Sequence, residues 1–113
     1  MTQDLSLYFR ALGDRKRLQI AQFLAQHERV PVTQLAEELR LSQPLISWHL
    51  RLMRRAGIVK TQREGRQVLC SLNRRALRSY QQRVNVLLDL EEHSIDQSTD
   101  LPTEALEPAS QGS

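Results

Sequence analysis

The chain has 113 residues, enough for one domain with a modest core and too few for two. No run approaches the roughly 18 apolar residues of a membrane helix, the N-terminal residues do not read as a secretory signal, and the single cysteine, Cys70, can form neither an internal disulfide nor a thiolate-rich metal site, so a cytoplasmic location is expected. All sixteen Lys and Arg but only nine of the thirteen Asp and Glu fall in residues 1–93; such a block favours a polyanion by counterion release, although a merely solvated basic surface has the same composition.

Leu5, Tyr8, Phe9 and Leu12 recur at helical spacing and the pattern breaks at Gly13, which predicts a short first helix. Asp14 is placed to cap a second helix, in which Leu18, Ala21, Phe23 and Leu24 form an apolar stripe. Arg15, Lys16 and Arg17 crowd its first turn, where the helix dipole disfavours cations. An anionic partner would relieve that mismatch; three exposed side chains without a partner would tolerate it. Val30-Pro31-Val32 suits only a short edge strand, since proline offers no N–H. Thr33 is expected to cap a third helix with Leu35, Ala36 and Leu39 facing inward. Arg40-Leu41-Ser42 then turns the chain into a fourth helix, capped by Ser42, with Pro44 in its first turn and Gly57 at a left-handed exit.

Ile58 to Gln62 and Gln67 to Leu72 read as a hairpin turning at Glu64-Gly65. Cys70 is in phase with Val68 and Leu72 on the inward face, as a small buried hydrophobe. Asn73 caps a long fifth helix marked by Leu77, Tyr80, Val84, Leu87 and Leu88 and ending near His93. Residues 94–113 are polar and acidic, with too little apolar surface to offset their ordering entropy, and are expected to form a disordered tail. The expected fold is mainly α with a small β-hairpin: a winged helix-turn-helix of five helices plus wing, within one DNA-binding and dimerisation domain over residues 1–93.

On a helical wheel, residues 43–56 place Leu45, Ile46, His49, Leu50, Leu52, Met53 and Ala56 on one side. Gln43, Ser47, Arg51 and Arg54 occupy the other, with Trp48 and Arg55 toward an edge, giving three arginines and no acid. A major groove admits one such helix, Arg reads guanine bidentately, and Gln suits adenine. Gln43, Ser47 and Arg51 are therefore assigned to base edges, and Ser42, Arg54 and Arg55 to backbone. Thr33 and Gln34 belong to the same DNA-binding set. Trp48 can meet a thymine methyl or a sugar, or lie over the neighbouring hairpin. His49, on the apolar side, is read as a buried histidine hydrogen-bonded to backbone.

Lys60, Arg63 and Arg66 make the hairpin a basic finger able to reach phosphate or the minor groove, partly offset by Glu64. The first and fifth helices carry more apolar surface than the core can cover: Leu5, Tyr8, Phe9, Leu12, Tyr80, Val84, Leu87 and Leu88. A two-fold homodimer would bury it and set two reading helices about 34–36 Å apart on a palindromic duplex.

Leu41-Ser42-Gln43-Pro44-Leu45-Ile46-Ser47-Trp48-His49-Leu50, then Ala56-Gly57-Ile58-Val59, Arg63-Glu64-Gly65-Arg66 and Leu72-Asn73, resemble the ArsR/SmtB repressors, as does Ala11-Leu12-Gly13-Asp14 followed by Arg17-Leu18. The resemblance covers residues from about 5 to 90 and implies a homodimeric winged-helix repressor that releases its operator when a ligand, often a metal, binds. The departures concern sensing. Pro31 and Thr33 stand where arsenic and cadmium sensors of that family place thiolates, and neither ligates a soft metal. Asp89, Glu92 and His93 lack the family's Asp-x-His spacing on the fifth helix. No metal, cofactor or catalytic residue is therefore assigned, and any effector is unknown. A metal- or redox-responsive repressor of the same fold, and a winged helix that docks an acidic protein, remain alternatives. An enzyme does not fit, since there is neither a Gly-rich phosphate loop nor a catalytic constellation.

Overall fold

The computed structural model describes residues 4–94, and the chain divides after Gln81 into two units. The elements run α1 (Leu5–Leu12), α2 (Arg15–Ala25), β1 (Val30–Pro31), α3 (Val32–Leu39), α4 (Gln43–Arg55), β2 (Val59–Glu64), β3 (Gln67–Leu72) and α5 (Arg74–Ser94). α3 and α4 form the helix-turn-helix, and β2 and β3 the wing.

Side-chain caps set where four helices begin. Asp4 accepts from the Ser6 N–H at 3.0 Å, Asp14 from those of Lys16 and Arg17 at 2.9 and 3.1 Å, Ser42 Oγ from Leu45 at 3.3 Å, and Asn73 Oδ1 from Ala76 at 3.1 Å. Each satisfies a donor the helix cannot, worth about 1 kcal/mol. α3 departs from expectation: it starts at Val32 behind Pro31, with no side-chain cap, and Thr33 lies inside its first turn. The proline ring locks φ, here −60°, and presets the extended backbone that a capping residue would otherwise hold.

Two helices end alike. At α3 the Leu41 N–H reaches the Ala36 carbonyl and the Arg40 N–H that of Glu37; at α4 the Ile58 N–H reaches Met53 and the Gly57 N–H reaches Arg54. Both are the paired closure that needs a left-handed residue, supplied by Arg40 at φ 57° and Gly57 at φ 79°. Gly13 has another reason to be glycine, because a Cβ there would meet the Phe9 carbonyl oxygen at 2.8 Å.

The sheet is antiparallel in the order β1-β3-β2, with Val30 opposite Cys70. The hairpin register runs from Val59 opposite Leu72 to Glu64 opposite Gln67. The turn is therefore Gly65-Arg66, one residue beyond the expected Glu64-Gly65, because a two-residue loop puts its positive-φ residue first and Gly65 has φ 62°.

Ile20 and Leu24 of α2, Leu35 of α3, Ile46 and Met53 of α4 and Ile58 before β2 are fully buried, each contributing about 1.5–3 kcal/mol by leaving water. The α2 stripe differs from the one expected. Arg17, Ile20 and Leu24 face inward at helical spacing, which rotates Leu18 out to 43% exposure. Leu45 of α4, also expected inside, is exposed.

Tyr80 corrects another expectation. It is 0% exposed within its own protomer, its hydroxyl donates to the Ala56 carbonyl at 2.6 Å, and its ring stacks on Tyr8 at 4.5 Å. It is a core residue and has no surface to offer a second copy. In the second unit, Val86, Leu87 and Leu88 of α5 are exposed and Val84 is half-buried. Among the described residues no helix is long and apolar enough to cross a membrane. The tail expected from residue 94 lies, from residue 95 onward, outside the described residues.

Candidate nucleic-acid interface

A groove of about 370 Å³ opens between the start of α3, the polar side of α4 and the wing. Thr33 stands at one wall, Gln43, Ser47, Arg51 and Arg54 at the second, and Thr61, Arg66 and Gln67 at the third. Three guanidinium groups face it and no carboxylate does. Arg54 Nη1 donates to Thr61 Oγ1 at 3.1 Å, tying α4 to β2 across one end.

Of the residues assigned from sequence, Thr33, Gln43, Ser47, Arg51, Arg54 and Arg66 meet in this groove. Gln34, Arg55, Lys60 and Arg63 are exposed but do not line it. Ser42 Oγ accepts from the Leu45 N–H, which leaves its own proton free to donate outward. Thr61 and Gln67 are wing residues that sequence reasoning missed. The signal was available in strand alternation, but only the hairpin register tells which side faces α4. Glu64 is answered by an ion pair with Arg29, both half-exposed. Such pairs contribute about 0–1 kcal/mol, and the effect of this one is to cancel the wing's only carboxylate.

Where α2 meets α4 the sequence reading needs revision. Arg17, weighed as an exposed cation, is buried, and Nη1 of its guanidinium bonds His49 Nδ1 at 3.0 Å. His49 is buried as expected, yet this partner is a guanidinium and not backbone. Trp48 is 48% exposed and lies over Arg17, with its ring centroid 5.7 Å from the guanidinium carbon. That position suits a cation–π contact. Burial is the main influence holding His49 below the usual imidazole range, with Asp14 acting against it and Arg17 and Lys16 with it. Cys70 Sγ donates to the Val30 carbonyl at 3.2 Å, and burial pushes its thiol up to about 11.

Among the described residues no three His, Cys, Asp or Glu side chains come together as a metal site. Pro31 and Thr33 line the groove and offer no soft ligand. The side chains of Glu92 and His93 lie outside the described residues.

The family described as bacterial regulatory protein, arsR family, matches residues 14–61, from the cap of α2 into β2. An uncharacterised HTH-type transcriptional regulator of Methanocaldococcus jannaschii is 44% identical over 57 residues, 50% of this chain and 64% of the relative. The HTH-type transcriptional repressor SmtB of Mycobacterium tuberculosis is 40% identical over 63 residues, 56% of this chain and 46% of the relative. The chain thus spans between 46% and 64% of the length of these curated relatives. Among solved structures, the homodimeric winged helix-turn-helix DNA-binding domain of a possible ArsR-family regulator from Mycobacterium bovis matches with a TM-score of 0.62 and 24% identity over 79% of this chain and 82% of that one, so the two share a fold. HlyU from Vibrio cholerae, a solved structure, is 34% identical and matches with a TM-score of 0.56 over 59% of this chain and 72% of that one. With that relative and the arsR-family match to its helix-turn-helix, this chain belongs to the ArsR/SmtB family of bacterial regulatory proteins.

Proposed function

We propose that the chain is a homodimeric transcriptional repressor that seats α4 in the major groove of a palindromic duplex and lays its wing along the flanking backbone. One observation carries this reading: the groove shared by α3, α4 and the wing presents Arg51, Arg54 and Arg66 beside Gln43 and Ser47, without a carboxylate. Arg51 matches guanine, Gln43 matches adenine, and Ser47 suits either. Ser42, Arg54, Arg55, Thr33 and Gln34 hold phosphates; Lys60, Arg63 and Arg66 extend that contact from the wing. Dimerisation is supported by the exposure of Phe9 on α1 and, separately, of Leu87 and Leu88 on α5. The homodimeric relative of the same fold supports it as well. Repression follows the sense of the SmtB relative, and with Pro31 and Thr33 at the thiolate positions it operates without that metal site.

Selection of duplexes from a random pool, followed by binding at 50 and 200 mM salt, tests the proposal. A palindrome with half-sites one helical turn apart is expected, with affinity falling about a thousandfold or more between the two salt concentrations. A monomer indifferent to duplex at low ionic strength would overturn it.

A further inference from the structure

Arg17 stands in the first turn of α2 yet is only 8% exposed. Its Nε donates to the Ala11 carbonyl at 2.9 Å, Nη2 to the Arg10 carbonyl at 3.3 Å, and Nη1 meets His49 Nδ1 at 3.0 Å. One guanidinium thereby joins the last turn of α1, the start of α2 and the middle of α4. A guanidinium has donors only, so His49 accepts at Nδ1 and carries its single proton at Nε2. The imidazole is 5% exposed and sits between Ser47 and Arg51 in sequence, the two groove residues assigned to base edges. Trp48 covers the pair, its ring centroid 5.1 Å from that of His49.

We propose that Arg17 and His49 form an acid-sensitive strut that holds the base-reading face of α4 in position, and that a proton on His49 Nδ1 releases it. This rests on the duplex-binding reading above. Protonation removes the acceptor and leaves two cations at 3.0 Å. The charged groups facing His49 are Asp14, Lys16 and Arg17, all at the start of α2. Asp14 alone favours the imidazolium, and its carboxylate already accepts from the N–H groups of Lys16 and Arg17. From α1 the strut meets two backbone carbonyls. Arg17 and His49 are positioning residues, and neither touches duplex.

The sign of the pH effect separates this strut from ordinary electrostatics. Acid adds positive charge to exposed groups, which strengthens binding to a polyanion; release of the strut weakens it. The test follows affinity for the best duplex from the random pool between about pH 8 and pH 5, alongside Trp48 emission. Trp48 is the single tryptophan, and an imidazolium at its edge quenches the indole. Wild-type affinity is expected to fall about tenfold per pH unit below the His49 midpoint, because only the neutral fraction is competent. Emission should fall with the same midpoint. His49→Asn keeps an acceptor oxygen at the Nδ1 position and cannot titrate; it should bind as wild type at pH 8 and lose both the acid decline and the emission change. Wild-type affinity that holds or rises while Trp48 emission titrates overturns the strut alone, as does an acid decline that persists in His49→Asn. A wild-type chain indifferent to duplex at pH 8 overturns the duplex-binding reading and the strut together.

Discussion

The Arg54 guanidinium on α4 donates to the Thr61 hydroxyl on β2, so a hydrogen bond of 3.1 Å links α4 to the wing at the groove they share. Thr61→Val removes the acceptor and keeps the shape. A half-exposed bond of this kind contributes about 0.5–1.5 kcal/mol to folding, so urea unfolding should shift by no more than that. Duplex affinity, read by fluorescence anisotropy, should drop further than stability alone accounts for, because helix and wing then orient independently. Unchanged affinity would confine the bond to folding.

Arg51→Ala tests the base-edge assignment. The variant should lose about 1–3 kcal/mol of discrimination at one base pair of each half-site, seen as relaxed selectivity there in a second round of selection. Lys60→Ala should instead weaken all sequences alike and lower the salt slope by about one. Equal behaviour of the two variants would remove the distinction between reading and anchoring.

The matched helix ends at Arg40 and Gly57 allow a paired stability measurement. A non-glycine residue in the left-handed region costs about 1–2 kcal/mol, offset in part by the greater unfolded-state freedom of glycine. Arg40→Gly should stabilise by about 0.5–1 kcal/mol and Gly57→Ala should destabilise by about 1–2 kcal/mol. Both are read as urea midpoints at constant slope.

Tyr80→Phe and Leu87→Asp separate core from interface. The first leaves the buried Ala56 carbonyl without its 2.6 Å donor and should cost about 1–3 kcal/mol of stability with no change in assembly. The second places a charge on an exposed apolar helix face and should shift sedimentation toward the monomer with little change in thermal midpoint of the monomeric fold.

Cys70 should be inert in the native state. With its thiol pushed to about 11, about one molecule in a thousand is thiolate at pH 8, so a disulfide reagent should label it only after denaturation. The same shift works against the fold in alkali. The unfolded thiol ionises near 9.0 and the folded one near 11, so the contribution is complete below pH 9.0 and is lost as pH rises across that window. Rapid native labelling would contradict the inward placement and reopen a redox role.

Much of the site was legible because it is written in local pattern. The polar side of α4 follows from a period of 3.6 between a capping Ser42 and a left-handed Gly57, and both punctuation marks fall where they were expected. What escaped depends on partners distant in the chain. Arg17 looks like a surplus surface cation until His49, 32 positions on, is brought beside it. Tyr80 is as apolar as a dimer residue should be, and only the Ala56 carbonyl, 24 positions away, marks it as interior. Leu18 and Ile20 both fit a helical stripe; the choice between them was made by a buried arginine that periodicity treats as polar.

The three-stranded sheet has two rims, and neither invites a stranger. One is the two-residue strand ending in Pro31, which has no N–H to offer. The other, β2, carries Lys60 and Arg63 and so repels its own likeness. Both rims are thus closed to strand addition from a neighbouring copy, so crowding alone gives the sheet no route to open-ended growth.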